Sequence, residues 1–216
     1  MEAGESTVWK TLAQNKEGQD ELIVLKQVRK EAFASEEEMQ ASQKFYSFLK
    51  NFPGLGKFIP DTLYFKARVT SDSNPQAFRL QHFIEGKPAD KLKDEELYAD
   101  PAVIRQLLEF IDIAIELLHT ARENKTLAPD LMRTPEFSNT RVMLGGLLAD
   151  PRYSSNIFIS NEPDKNGQRV FFVDTAANVD ERTKKLFELF SRYVISHVEE
   201  YQLKRWKNNL EGILQG

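Results

Sequence analysis

The chain has 216 residues, 41% of them hydrophobic and 29% charged, with a formal net charge of −4. That is the balance of one sizeable domain or two small lobes, and it excludes a general nucleic-acid surface. There is no cysteine and there are only three histidines, which excludes disulfides, thiolate metal sites and cysteine nucleophiles and makes a histidine-rich metal centre untenable. No apolar run approaches the roughly 20 residues of a membrane span. Met1-Glu2-Ala3-Gly4-Glu5 lacks the basic-then-apolar order of a signal peptide. The expected location is cytoplasmic, or inside another cell for an effector exported by a dedicated machine.

The first third reads as strand-rich. A strand is expected over Thr7 to Leu12, a turn over Gln14 to Asp20, and an apolar strand over Glu21 to Val28, interrupted by Lys26. Alternation puts Lys26 on the same side as Val24 and Val28. An ammonium there needs a polar partner, so it is expected to point into a cleft. Ser35-Glu36-Glu37-Glu38 has the form of a capping box and starts a helix that runs to about Asn51. Its apolar side is Met39, Phe45, Phe48 and Leu49, and Pro53-Gly54 stops it. Two further strands are expected near Thr62 to Val69 and Ala77 to Ile84. Glu85-Gly86-Lys87-Pro88 then breaks the chain, which divides it into residues 1–85 and 86–216.

The second part reads as mostly helical. Pro101 to about Arg122 carries Ile104, Leu107, Leu108, Ile111, Ile115 and Leu118 at helical spacing. The stretch from Glu123 to Ala149 supports no assignment. Two apolar runs follow, Tyr153 to Ile159 and Val170 to Thr175, around a turn-rich Asn161 to Gln168. They form a hairpin that Asn156 enters and Asp174 leaves, so both belong to its open end. An amide oxygen and a carboxylate there suit a hard cation such as Mg²⁺ between a nucleotide's phosphates; the bland alternative is an ordinary hairpin. A last helical stretch runs from Glu181 to about Trp206.

A β-rich lobe with one helix, a break, a long helix, a polar loop, a hairpin and more helix resembles the protein-kinase-like superfamily. The likeness covers roughly Gly4 to Asp174 and is nearest to divergent bacterial and small-molecule kinases. It implies an α+β, two-lobed fold with a small β-rich N-lobe over 1–85 and a reduced helical C-lobe over 86–216. Ala3-Gly4-Glu5-Ser6-Thr7-Val8-Trp9 is similar to a degenerate glycine-rich loop that covers phosphates. The family's usual first strand is missing before it, which implies a truncated or a reduced lobe. The resemblance makes Lys26 the phosphate-binding lysine and takes its carboxylate from Glu36, Glu37 or Glu38, with Glu38 preferred. The family's glutamate usually lies deeper in the helix, where this chain has Ser42 and Gln43. Phe78 to Pro88, with Ile84-Glu85-Gly86, is similar to the hinge of aminoglycoside-phosphotransferase-like kinases, whose backbone bonds adenine.

The catalytic aspartate has two candidates. Leu118-His119 closing a helix, followed by Pro129-Asp130-Leu131, matches the family's flanks and favours Asp130, with an insertion before Asn156. Asp150 lies six residues before Asn156, one more than in the family. Asn156 and Asp174 are then the metal ligands, with Asp174-Thr175-Ala176 in place of Asp-Phe-Gly. The implied cofactors are ATP and Mg²⁺, and the implied activity moves the γ-phosphate to a hydroxyl, of a protein Ser/Thr or of a small molecule. Two alternatives stay open: a pseudokinase scaffold that transfers nothing, and an α+β protein unrelated to kinases.

Overall fold

The computed structural model describes residues 6–14, 17–28, 36–68, 71, 75–124, 131, 156–173 and 196–215. It is a mixed structure of antiparallel sheets and helices. Strand β1 (Ser6–Gln14) pairs with β2 (Asp20–Val28) along its whole length, from Ser6 opposite Val28 to Gln14 opposite Asp20. Strands β3 (Thr62–Ala67) and β4 (Gln76–His82) complete a four-stranded antiparallel sheet of order β1-β2-β4-β3. The first strand is therefore longer at both ends than its sequence suggests, and β4 stops two residues before Ile84.

Helix α1 (Glu36–Asn51) touches this sheet at β3 through Gln43 and Tyr46. The Tyr46 ring lies 5.8 Å from that of Tyr64, and the Tyr46 hydroxyl accepts the Thr62 N–H at 3.1 Å. Met39, Ser42 and Leu49 are buried, at the three- and four-residue steps of one helix face. Phe48 is exposed, contrary to the expected apolar side, and its ring packs along the helix against Phe45 and Phe52.

A 3₁₀ turn (Leu55–Phe58) follows α1 and carries Leu55 and Phe58 into the main core. Within the expected break Glu85-Gly86-Lys87-Pro88, the last three residues are strand. Strand β5 (Gly86–Pro88) begins at once and forms the edge of a second antiparallel sheet, β5-β6-β7, with β6 (Ile157–Ser160) and β7 (Val170–Phe172). Three residues that include a glycine and a proline carry too little periodicity to be read as a strand. A second 3₁₀ turn (Ala89–Lys91) and the short helix α2 (Asp94–Tyr98) lead into α3 (Pro101–Glu123). His119 lies inside α3 rather than at its end. Helix α4 (Ser196–Gln215) extends well past Trp206, because Leu203, Trp206 and Leu210 continue a buried stripe.

Asp100 caps α3, its Oδ1 accepting the Ala102 N–H at 2.8 Å, with Pro101 in the first turn. The α3 stripe of Ile104, Leu107, Phe110, Ile111, Leu117 and Leu118 is fully buried. Phe110 packs edge-on against Phe58 at 5.3 Å and against Phe172 at 6.1 Å. Leu49, Leu55 and Phe58, from before residue 85, share one apolar cluster with α3, β6, β7 and α4. No helix among the described residues is long and apolar enough to cross a membrane.

Candidate functional site

Cross-strand partners share a sheet face. The register sets Lys26 opposite Val8 on one side and Arg79 on the other, and Arg79 opposite Tyr64. Lys26, Arg79 and Gln81 thus lie on the face that Tyr64 presents to α1. Arg79 and Gln81 are buried and Lys26 is half-buried. The expected parity of Lys26 is what the sheet shows. Lys26 and Arg79 are thus direct cross-strand neighbours on that face.

The second sheet comes up to this face. Lys26 Nζ donates to the Val173 carbonyl at 3.4 Å, and Gln81 Nε2 donates to the same oxygen at 3.4 Å. Val173 in turn donates its N–H to the Asn156 carbonyl at 2.9 Å. Ile157 lies opposite Phe172, so Asn156 and Val173 extend the hairpin by one pair at its open end. The hairpin therefore brings Asn156 beside the residue that precedes Asp174, and Lys26 reaches across from the other sheet to the same point.

The hairpin is fixed from its closed end. Asp164 Oδ1 accepts the N–H groups of Asn166 and Gln168, each at 2.8 Å, and Gly167 takes a positive φ of 76°. Gln106 of α3 donates to the Gly167 carbonyl at 2.7 Å and accepts the Arg169 N–H at 2.8 Å. The Arg169 guanidinium bonds the Ser160 carbonyl and pairs with Asp100 at 2.7 Å.

The linker between the sheets, residues 83–85, runs beside this junction. Phe83 N–H bonds the Leu22 carbonyl at 3.0 Å, and the Glu85 carbonyl accepts the Asn161 N–H at 2.8 Å. Among the described residues the Phe83 carbonyl, both backbone groups of Ile84 and the Glu85 N–H carry no hydrogen bond. The Glu85 side chain is exposed, and its carbonyl, already engaged, is the one linker acceptor closed to a ligand. A cavity of about 560 Å³ abuts the linker, lined among others by Lys50, Ile59, Phe83, Glu85, Asn161 and Phe171. Neither Lys26 nor Asn156 lines it, so it is separate from the junction.

Gly4, Asp130, Asp150 and Asp174 lie outside the described residues. Glu38 is in the first turn of α1, and Glu36 and Glu37 precede it there. Ser42, one turn further on, is buried, and Gln43 donates to the Tyr64 carbonyl at 3.4 Å. Leu131, next to Asp130 in sequence, is buried, and its N–H donates to Glu199 Oε1 of α4 at 2.9 Å. Among the described residues there is no cluster of three His, Asp or Glu that could hold a metal.

Sequence reasoning missed three polar residues here. Arg79 and Gln81 had a signal, since both interrupt an apolar strand at the parity of Lys26. Glu199 had none: its partner lies 68 residues away.

No family model matches the chain, and no curated protein does. Among solved structures it is similar to the aminoglycoside phosphotransferase APH(3'')-Id from Streptomyces rimosus ATCC10970. Identity is 15%, covering 97% of this chain and 93% of that chain, with a TM-score of 0.35. A likeness of that size carries none of the site assignment.

Proposed function

We propose that the chain is a kinase-like phosphotransferase that binds Mg²⁺–ATP between two lobes, residues 1–85 and 86–216, and moves the γ-phosphate to a hydroxyl group. The observation that carries this reading is the reach of Lys26 across to the Val173 carbonyl, at the hairpin end where Asn156 is paired and Asp174 follows. A cation from one sheet meeting the end of a hairpin whose sequence offers an amide and, next along the chain, a carboxylate suits a metal-bound polyphosphate. Arg79 beside Lys26 adds positive charge on the same face. The open backbone groups of residues 83–85 offer donor and acceptor to a purine edge.

In this reading Lys26 holds phosphate oxygens, with Glu38 as its carboxylate partner and Gly4 in the covering loop. Asn156 and Asp174 hold Mg²⁺ through an amide oxygen and a carboxylate, a donor set suited to that ion. The metal supplies charge neutralisation between the phosphates. Asp130 orients the acceptor hydroxyl, with Asp150 as the other candidate. A protein Ser/Thr is the proposed acceptor, and a small-molecule alcohol is the second.

The test is a thermal shift with ATP, with and without Mg²⁺, on the wild type and on Lys26→Ala. Stabilisation that needs the metal and disappears in the variant is expected. No shift in the wild type under any condition overturns nucleotide binding. A shift without phosphate release or transfer to any acceptor leaves a nucleotide-binding scaffold.

A further inference from the structure

Among the described residues, strand β1 has a neighbour on one side only, because β2 is its partner and β1 ends the sheet. Its outer edge is nine residues long, with no proline, no glycine and one charge, Lys10. Val8 is 55% exposed, Leu12 63% and Trp9 42%. A long edge that exposes Val8, Trp9 and Leu12 and carries one charge near its middle can template another strand wherever that charge is drawn aside.

The sequence of the edge selects the occupant. Val8 and Leu12 are equidistant from Lys10, and so are Trp9 and Thr11. Two copies laid antiparallel about an axis at Lys10 put Val8 of one protomer opposite Leu12 of the other, twice, and Trp9 opposite Thr11, twice. That is the self-complementarity a two-fold interface requires. Moving the axis to Trp9 or to Thr11 sets Lys10 against Val8 or Leu12 and loses both apolar pairs.

The Lys10–Lys10 contact at the axis is relieved within each chain. Lys10 Nζ sits 3.8 Å from the centroid of the Phe83 ring. That cation–π contact draws each ammonium inward across β2, away from the edge. We infer that β1 is a homodimerisation edge, pairing antiparallel with β1 of a second copy about Lys10 to make one eight-stranded sheet. The inference stands independently of nucleotide binding.

The experiment measures mass against concentration by sedimentation equilibrium. The wild type is expected to rise toward twice the monomer mass. Val8→Lys and Leu12→Glu are each expected to remain monomeric at concentrations where the wild type is dimeric. Val8→Lys/Leu12→Glu in one chain is expected to recover dimer, since each new lysine then faces a new glutamate. The chain has no cysteine, so Lys10→Cys offers a check that needs no loss of folding. It is expected to cross-link to a covalent dimer on mild oxidation, while Leu63→Cys on the opposite edge strand does not. A wild type that stays monomeric throughout, a dimer untouched by both single substitutions, or equal cross-linking at both cysteines overturns the inference.

Discussion

Lys26 and Gly86 show how much a single residue can fix, one between the two sheets and one within the second. Lys26 sits among apolar neighbours on β2, where an ammonium persists only with polar company. It finds this in the Val173 carbonyl. Strand parity made its direction readable in the sequence, because the period of a strand is two. Its partner was unreadable, because the contact spans 147 residues. Gly86 acts by having no side chain. A Cβ there would lie 2.1 Å from the Ile159 carbonyl oxygen across the ladder, and a backbone atom cannot swing aside. Gly86→Ala is therefore expected to push β5 off β6 and cost roughly 1–3 kcal/mol, the range of an overpacked site. Denaturant unfolding measures this, and a variant within about 0.5 kcal/mol of the wild type, the scatter of an ordinary surface change, would show that β5 yields freely.

Among the elements, α3 and the β6-β7 hairpin behave as one unit. Asp100 uses one carboxylate oxygen to cap α3 and the other to pair with Arg169, which itself grips the Ser160 carbonyl. Gln106, less than two turns along, holds the chain where it leaves the hairpin turn, at Gly167, Arg169 and Val170. Asp100→Ala removes cap and ion pair together, with an expected loss of about 1–2 kcal/mol. Asp100→Asn keeps a capping oxygen and is expected to lose less than half of that. Equal losses would mean that the ion pair to Arg169, not the cap, carries the effect. The long helix and the hairpin were legible because their patterns repeat over many residues or are bracketed by turn formers. Strand β5, both 3₁₀ turns and α2 were not, being three to five residues long. The end of α4 beyond Trp206 was missed because Leu210 stands among polar and charged residues that dilute the apolar signal.

At the scale of the whole molecule, the apolar core ignores the chain break at Glu85. Phe58 from the first part packs on Phe110, which packs on Phe172, so the segment after α1 is held by the helices of the second part. The far side of that core is closed by charge. Glu200 of α4 receives Lys204 at 2.6 Å, His119 at 3.0 Å and Arg122 of α3, and Arg122 also donates to the Ser196 carbonyl. Burial opposes ionisation of Glu200, but the hydrogen bonds from Lys204, His119 and Arg122 outweigh it and hold its carboxyl down at about 2. A carboxyl held below its unfolded value of 4.5 stabilises the fold fully above that value, and the contribution is lost as pH falls from about 4.5 toward 2. Glu200→Gln is thus expected to unfold well below the wild-type Tm at pH 7, and the gap should close as both are titrated to pH 2. Thermal unfolding of the two proteins across that range decides the matter. If their curves run parallel in pH, the α3–α4 junction is held by its apolar contacts alone, and the ion cluster over it contributes nothing to acid stability.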